Sequence, residues 1–392
     1  MNARTRIDVA VVGGGAVGTA CALALAELEL DVALIEAVEP TDWVADTADL
    51  RVYAFAPDNA KLLDEIKVWR NVERARAQPY RCMRVWDAAG VGELAFDADA
   101  FGRTELGWII EHGLMVDRLW NALRKQGVHL HCPAHVIALE QHDQGVRLRL
   151  DDGARIDARL VIAADGAEST VRTLAGLDVV THDYAQRGLV AYVQTGHPHQ
   201  DTAWQRFLPG GPLALLPCTQ GRSSIVWTLP NAEAERLLAV DEGVFNRELT
   251  RAFDARLGDM CVDSRRVGFP LRRQLAQRYL DGRVLAMGDA AHVVHPLAGQ
   301  GVNLGLRDVA ALRDSVRDAQ ARGADFAAAQ RLSRWARTRK SENAAAAYAF
   351  DGLNRLFSND GMATSLLRGP LLGLAGKLPG LPHALWRRAA GV

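Results

Sequence analysis

Residues 7–12 read IDVAVV, and the next six read GGGAVG. An apolar run followed at once by glycines fits a buried strand that ends in a tight turn. Residues 19–29 then carry a helical pattern. Residues 30–35 (LDVALI) form a second apolar run, which stops at Glu36. Strand, G-x-G-x-x-G, helix, strand and acid, in that order, make a βαβ unit, because two parallel neighbours need a long crossover. The N-terminal part of the chain is thereby committed to a Rossmann-like parallel sheet. Gly13 permits the turn. Gly15 lets backbone N–H groups approach a pyrophosphate, with Ala16 and Val17 just inside the helix. Gly18 lets helix pack closely on strand. Glu36 suits the hydroxyls of an adenosine ribose and repels a 2′-phosphate. FAD and NAD are equally good occupants at this level.

A second stretch, residues 284–308, reads VLAMGDAAHVVHPLAGQGVNLGLRD. Its apolar start predicts a short buried strand that gives out at Asp289. A loop with His292, His295 and Pro296 follows. Then Gly299, Gln300, Gly301, Val302 and Asn303 open a helix. An acid at a strand end beside a glycine-rich helix start is an arrangement for holding a polar cofactor against a helix N-terminus. Between these stretches, residues 160–164 (LVIAA) end in Asp165-Gly166, with Ser169 and Arg172 beyond. Locally that is a strand, a turn and a helix N-cap. Arg51 precedes a helical pattern that starts at Pro57, and it reads equally well as a cofactor contact and as a solvated loop arginine.

The 392 residues are too many for one ordinary core. Strand-like runs at 189–196, 204–207, 213–217 and 223–229, separated by Pro and Gly clusters, point to an antiparallel sheet in a second lobe. Residues 80–107 add strands to a second sheet, and the chain after Asp308 is helical to about 349. The net charge is −1 without a block of like charge, which argues against nucleic acid as a partner. Five cysteines are dispersed without CxxC, so free thiols in a reducing compartment are expected, and no metal-ligand spacing is present. No secretory leader pattern and no apolar run of membrane-spanning length is seen, and a cytoplasmic protein is expected. The last residues mix Leu366, Leu371, Leu378 and Trp386 with Arg368, Lys377, Arg387 and Arg388. Such a tail either lies on a membrane or partner surface, or docks on the body as a helix.

Taken together, GGGAVG with Glu36, ADGAEST with Arg172, and GDAAHVVHPLAGQGVNLGLRD resemble the aromatic-ring flavoprotein monooxygenases, the p-hydroxybenzoate hydroxylase-like family. HPLAGQGVNLGLRD and LPCTQGRSSIVWTLP (residues 216–230) are similar to the subgroup that hydroxylates polyprenyl phenols in ubiquinone biosynthesis. The resemblance implies an α/β fold: a Rossmann-like FAD-binding domain (1–75, 108–180 and 270–330) interleaved with a mainly antiparallel substrate domain (76–107 and 181–269), then a C-terminal helical region (331–392). It implies that Gly13, Gly15, Ala16, Val17, Gly18 and Glu36 hold the ADP half of FAD. Arg51 lies near the flavin or its phosphates. Asp165, with Gly166 and Arg172, belongs to a motif serving FAD and pyridine nucleotide. Asp289 meets the ribityl chain, Pro296 lies beside the flavin ring, and backbone from Gly299 through Gln300, Gly301 and Val302 to Asn303 faces the flavin edge. His295 and Pro296 form the loop against which the substrate ring is presented, and His292 and His295 stand either as bases or as loop residues.

The implied reaction is ring hydroxylation through a flavin C4a-hydroperoxide, with NAD(P)H as donor, O2 as co-substrate and no nicotinamide domain. The implied partners are a prenylated phenol, other proteins of a ubiquinone-biosynthesis complex, and the inner membrane, met peripherally by the tail. Other occupants of the same sequence pattern are a hydroxylase of a different aromatic compound, a flavin reductase of a prenyl chain and a non-catalytic FAD-binding subunit. An NAD-dependent dehydrogenase is disfavoured, because it needs no second strand-end acid and glycine turn.

Overall fold

A computed structural model of the protein describes residues 6–47, 49–88, 92–295 and 300–357, together with 383, 386, 387, 390 and 391. Ile7–Val12 is the spine of an eight-stranded sheet. It pairs in parallel with Val32–Ile35 on one side and Arg155–Ala163 on the other. His129–His131 and Val284–Ala286 extend the parallel order outward. Val9, Ala10, Val11, Leu34, Ile35 and Val161 have no exposed surface. Strands covered on both faces need continuous apolar runs instead of alternation, which is why these segments read as they do. Helix Ala16–Ala26 packs on His112–Leu123 and on Gln300–Ala321, and all three share the buried core of this sheet. The register pairs Val12 with Ile35 and with Ala163, and Ala163 with Ala286. Four strands therefore end at one edge, and the loops leaving them meet there. That edge is where open parallel sheets bind ligands.

The second sheet has nine strands, ordered around the long strand Val179–Thr195. Leu189, Ala191, Leu213, Leu215, Ile225 and Trp227 face helices Asn231–Ala239 and Glu242–Ala252, and pack on Phe245, Leu249 and Phe253. The alternate residues Tyr192 and Leu216 point the other way. They meet Ala54 and Ile109 of a three-stranded sheet formed by Val52–Phe55, Ala77–Tyr80 and Gly107–Glu111. This period-two division gives the second sheet one helix-covered face and one face toward the three-stranded sheet.

The stretch 284–308 joins the two lobes. It leaves the parallel sheet at Ala286, turns at Asp289 and adds the two-residue strand His292–Val293 to the antiparallel sheet, opposite Gln274 and Leu275. It then re-enters the first lobe as helix Gln300–Ala321. The expected domain boundary at 270 falls inside strand Val267–Ala276, which pairs with Val179–Thr195 on both sides of that point. The helical stretch expected from 308 to about 349 is built from two helices, Gln300–Ala321 and Ala329–Phe357, with Gly323 left-handed at φ 61° after the first. In the tail, Trp386 is buried and stacks on Phe101 at 4.9 Å, with the Arg103 guanidinium 5.1 Å from its ring. These described tail residues dock on the body; Leu366, Arg368, Leu371, Lys377, Leu378 and Arg388 lie outside the described residues. No helix among the described residues is long and apolar enough to cross a membrane.

Candidate active site

A cavity of about 510 Å³ opens where the parallel strands end. Gly13, Gly15, Ala16, Val17, Glu36, Arg51, Asp165, Asp289 and Val302 all line it. Residues from four separate parts of the sequence thus share one wall.

The glycines divide into those the backbone needs and one the ligand needs. Gly13 has φ +110°, and a Cβ there would lie 2.2 Å from the Ala164 carbonyl oxygen. A Cβ on Gly18 would lie 1.9 Å from the Gly13 carbonyl oxygen, so the helix can approach the strand only without it. A Cβ on Gly15 would meet nothing within 4 Å, and its space belongs to the cavity. The carbonyl of Gly14 accepts from the Trp120 indole N–H at 2.7 Å and the Thr19 hydroxyl at 2.9 Å. The Gly14 N–H donates to Glu36, whose other oxygen accepts from the Val38 N–H at 3.1 Å. The loop is therefore clamped before any ligand arrives. Trp120 reads in the sequence only as part of an apolar helix face, and its bond to Gly14 leaves no local signal.

Asp289 is exposed to the cavity, and its carboxylate has no hydrogen-bond partner among the described residues. The Asp165 carboxylate is turned inward, accepting from the Ser169 hydroxyl and from the Val171 N–H at 3.1 Å. Arg172 is buried and donates to the carbonyls of Ala167 at 2.8 Å and Ala290 at 3.1 Å. It ties the middle loop to the residue after Asp289. Asn303 spends its side chain on the segment after Arg51. It accepts from the Ala56 N–H and from Asn59, both at 2.9 Å, and donates to the Ala54 carbonyl at 2.7 Å.

Asp308 is fully buried. It accepts from the Gly288 N–H at 3.1 Å, His292 Nε2 at 2.6 Å, Arg339 Nε at 2.7 Å and Asn343 Nδ2 at 3.0 Å. His292 is committed to that carboxylate and is sealed from the cavity, which removes it as a base. Tyr53 and His112, unremarked in the sequence, line the cavity beside Arg51.

His295 differs most from its expected place. It is 1% exposed and stands edge-to-face on Tyr184 at 5.0 Å, away from the residues lining the cavity. Neither ring nitrogen has a hydrogen-bond partner among the described residues. Burial pushes its pKa down to about 4, against the opposing charge of Asp351. A neutral buried imidazole costs stability once the unfolded chain can protonate. The penalty begins as pH falls below the unfolded value near 6.5 and saturates near 4, reaching on the order of 3 kcal/mol. His295→Leu is expected to flatten that part of the pH–stability curve, read by urea unfolding between pH 7 and 4. Pro296 and Gly299 lie outside the described residues. Gln300 opens its helix, without a described side chain.

A family profile described as "FAD binding domain" matches residues 6–338. The chain belongs to the FAD-binding domain family. It is 38% identical over 356 residues to 3-demethoxyubiquinol 3-hydroxylase of Escherichia coli (strain K12), covering 90% of each chain. It is 37% identical to ubiquinone hydroxylase UbiL of Rhodospirillum rubrum, covering 98% of this chain and 89% of that one. Among solved structures, p-nitrophenol 4-monooxygenase PnpA of Pseudomonas putida superposes with a TM-score of 0.78 at 20% identity, covering 98% of each chain. Klebsiella pneumoniae HpxO, complexed with FAD and uric acid, superposes at 0.76 with 18% identity, covering 98% of this chain and 97% of that one. The last two are similar in fold.

FAD fits the cavity on the chain's own features. Gly15 leaves space for the pyrophosphate at the start of helix Ala16–Ala26, the unpartnered Asp289 carboxylate awaits hydroxyl donors, and Val302 brings the start of a second helix to the wall. Arg51 adds a cation to the same wall.

Proposed function

We propose that the protein is an FAD-dependent monooxygenase that hydroxylates the aromatic ring of a polyprenyl phenol in ubiquinone biosynthesis, with O2 as co-substrate and a reduced pyridine nucleotide as donor. What supports the reading most is the identity of 38% with 3-demethoxyubiquinol 3-hydroxylase over 90% of both chains. FAD, when bound, would supply the redox chemistry by which two electrons from the donor and O2 give one oxygen atom to the ring and the other to water.

The chain supplies binding, orientation and a dry surface. Gly13 to Gly15 and Glu36 hold the ADP half. Asp289 fixes the ribityl chain, and the N-terminus of helix Gln300–Ala321 favours negative charge at the flavin edge. Pro296 and Gly299 to Asn303 are proposed as the backbone around the ring. Tyr192, Leu216, Ala203, Ala54 and Ile109 form an apolar layer between the lobes. Such a layer suits a prenylated phenol and keeps water from the reacting atoms. His295 acts on the loop by packing, with no proton to exchange at the ring. Peripheral contact with the inner membrane, and assembly with other proteins of the pathway, are how a chain without a described membrane-crossing helix would meet a membrane-borne substrate.

Deleting the gene and weighing the isoprenoid intermediates tests the reading. One prenyl phenol lacking a single hydroxyl should accumulate, and an unchanged quinone pool would sink the assignment. For the site, Asp289→Ala should fold normally and bind FAD about 10- to 100-fold more weakly, the value of hydrogen bonds to a charged group. Flavin fluorescence titration of the apoprotein reads this, and unchanged affinity would remove Asp289 from the site.

A further inference from the structure

Tyr53 and His112 carry no role so far, yet both stand in the cavity wall. Tyr53 leaves strand Val52–Phe55, and His112 opens helix His112–Leu123 directly after strand Gly107–Glu111. The two strands are paired, with Tyr53 opposite Ile110 and Val52 opposite Glu111. The backbone thus fixes both side chains relative to each other. The Tyr53 hydroxyl lies 2.5 Å from His112 Nδ1, and the rings meet edge-to-face at 5.6 Å.

This bond sets where the imidazole carries its proton. Tyr53 is 7% exposed, and burial pushes its ionisation up to about 12, so the phenol keeps its hydrogen. Among the described residues that hydrogen has no acceptor besides Nδ1. The phenol therefore donates to Nδ1, and a neutral ring bears its N–H at Nε2. The ring stays neutral: burial and the Arg51 guanidinium push its pKa down to about 4, with Asp49 opposing. Nε2 has no partner among the described residues, and it is not among the atoms sealed from solvent without one. A donor in one orientation is thus presented at the cavity, beside the permanent charge of Arg51.

We propose that His112 is a cofactor-binding residue, held by Tyr53 as a single neutral tautomer whose Nε2–H donates to an acceptor oxygen of FAD. The assignment rests on FAD as the occupant of the cavity. Its physical logic is division of labour. Arg51 supplies positive charge, and a second cation beside it would be repelled. A neutral donor adds direction without adding charge.

Nitrogen-15 spectra of the apoprotein at pH 7 test the tautomer, with His112→Gln identifying the signal by its loss. The Nε2–H form is expected in the natural protein and a mixture of tautomers in Tyr53→Phe. An Nδ1–H form or an imidazolium in the natural protein overturns the proposal. Flavin fluorescence titration tests the ligand. His112→Leu should weaken FAD binding about tenfold, and His112→Gln, which keeps an N–H donor, should stay within roughly threefold of the natural protein. Binding by His112→Leu at the natural strength, or by His112→Gln as weakly as His112→Leu, overturns the proposal. A natural apoprotein that binds no FAD overturns the cofactor reading itself. Natural binding with an indifferent His112→Leu overturns only this inference. Should His112→Leu not fold, the spectra of the natural protein still decide.

Discussion

Asp308→Ala is expected to destabilise the protein by about 3–5 kcal/mol, the cost of removing one partner from a buried ion pair. The carboxylate sits on helix Gln300–Ala321 without exposed surface. Arg339 and Asn343 reach it from successive turns of helix Ala329–Phe357, and Gly288 and His292 reach it from the loop around Asp289. Removing it leaves the Arg339 charge, 5% exposed, with Glu342 as its remaining ionic partner. It also releases the Gly288 N–H next to Asp289 in the cavity wall, so FAD retention should fall together with stability. Asp308→Asn keeps the volume and part of the hydrogen bonding, and about 1–3 kcal/mol is expected. The sign of the pH dependence follows from the charge. Burial pushes the Asp308 pKa up, but His292, Arg339 and Asn343 together bring it below the usual carboxylate value. Its contribution is then complete above the unfolded pKa, about 4, and is lost only as pH falls through the lower folded value. Urea unfolding at pH 7 should show the full difference between Asp308→Ala and the natural protein. The two curves should converge only below about pH 4. Equal midpoints at pH 7 would mean that the four bonds hold nothing.

The distance between Asp308 and its partners explains what the sequence could and could not convey. Strand–glycine–helix order is local, and the spacing from Ile7 to Glu36 already carries a βαβ unit because each residue acts on its neighbours in the chain. The strand-end acid Asp289 and the helix start near Gln300 are legible in the same local way, and resemblance ties them to a flavin. Arg339 and Asn343, by contrast, read as polar residues on a long helix. That they close on Asp308 depends on how two helices pack, which no local pattern encodes. Trp120 looks like any core indole until Gly14 is brought to it. Tyr53 and His112 lie on different elements and become a pair through strand register alone. His295 shows the opposite case. Its place after Asp289 and before Pro296 suggested a side chain beside the reacting ring. The two-residue strand His292–Val293, however, carries the chain onto the antiparallel sheet, and the imidazole lands on Tyr184. Position in a motif located the loop, while the direction of the side chain was set by the sheet it joined.

Glycine substitutions separate the needs of the fold from those of the cofactor, and the contrast is expected to be large. Gly15 has φ −72° and ψ −175°, which a β-branched residue adopts without strain. A Cβ there meets nothing within 4 Å. Gly15→Val should therefore fold with stability within about 1 kcal/mol of the natural protein. Its added methyl groups occupy the place where a pyrophosphate approaches the start of helix Ala16–Ala26. Losing two charge-assisted contacts there costs upward of about 4 kcal/mol, or roughly a thousandfold in FAD affinity. A folded, colourless protein that takes up no flavin is the expected product. Gly18→Val places its Cβ 1.9 Å from the Gly13 carbonyl oxygen, a backbone atom that cannot move without separating helix from strand. That variant should lose stability before binding is tested, by several kcal/mol as in other overpacked cores. The pair is decisive because both substitutions add the same atoms within one short motif. If Gly15→Val unfolds while Gly18→Val folds and turns yellow, the cavity beside Gly15 is structural space and FAD lies elsewhere. If both fold and bind, the close approach of helix Ala16–Ala26 to strand Ile7–Val12 is looser than its geometry requires.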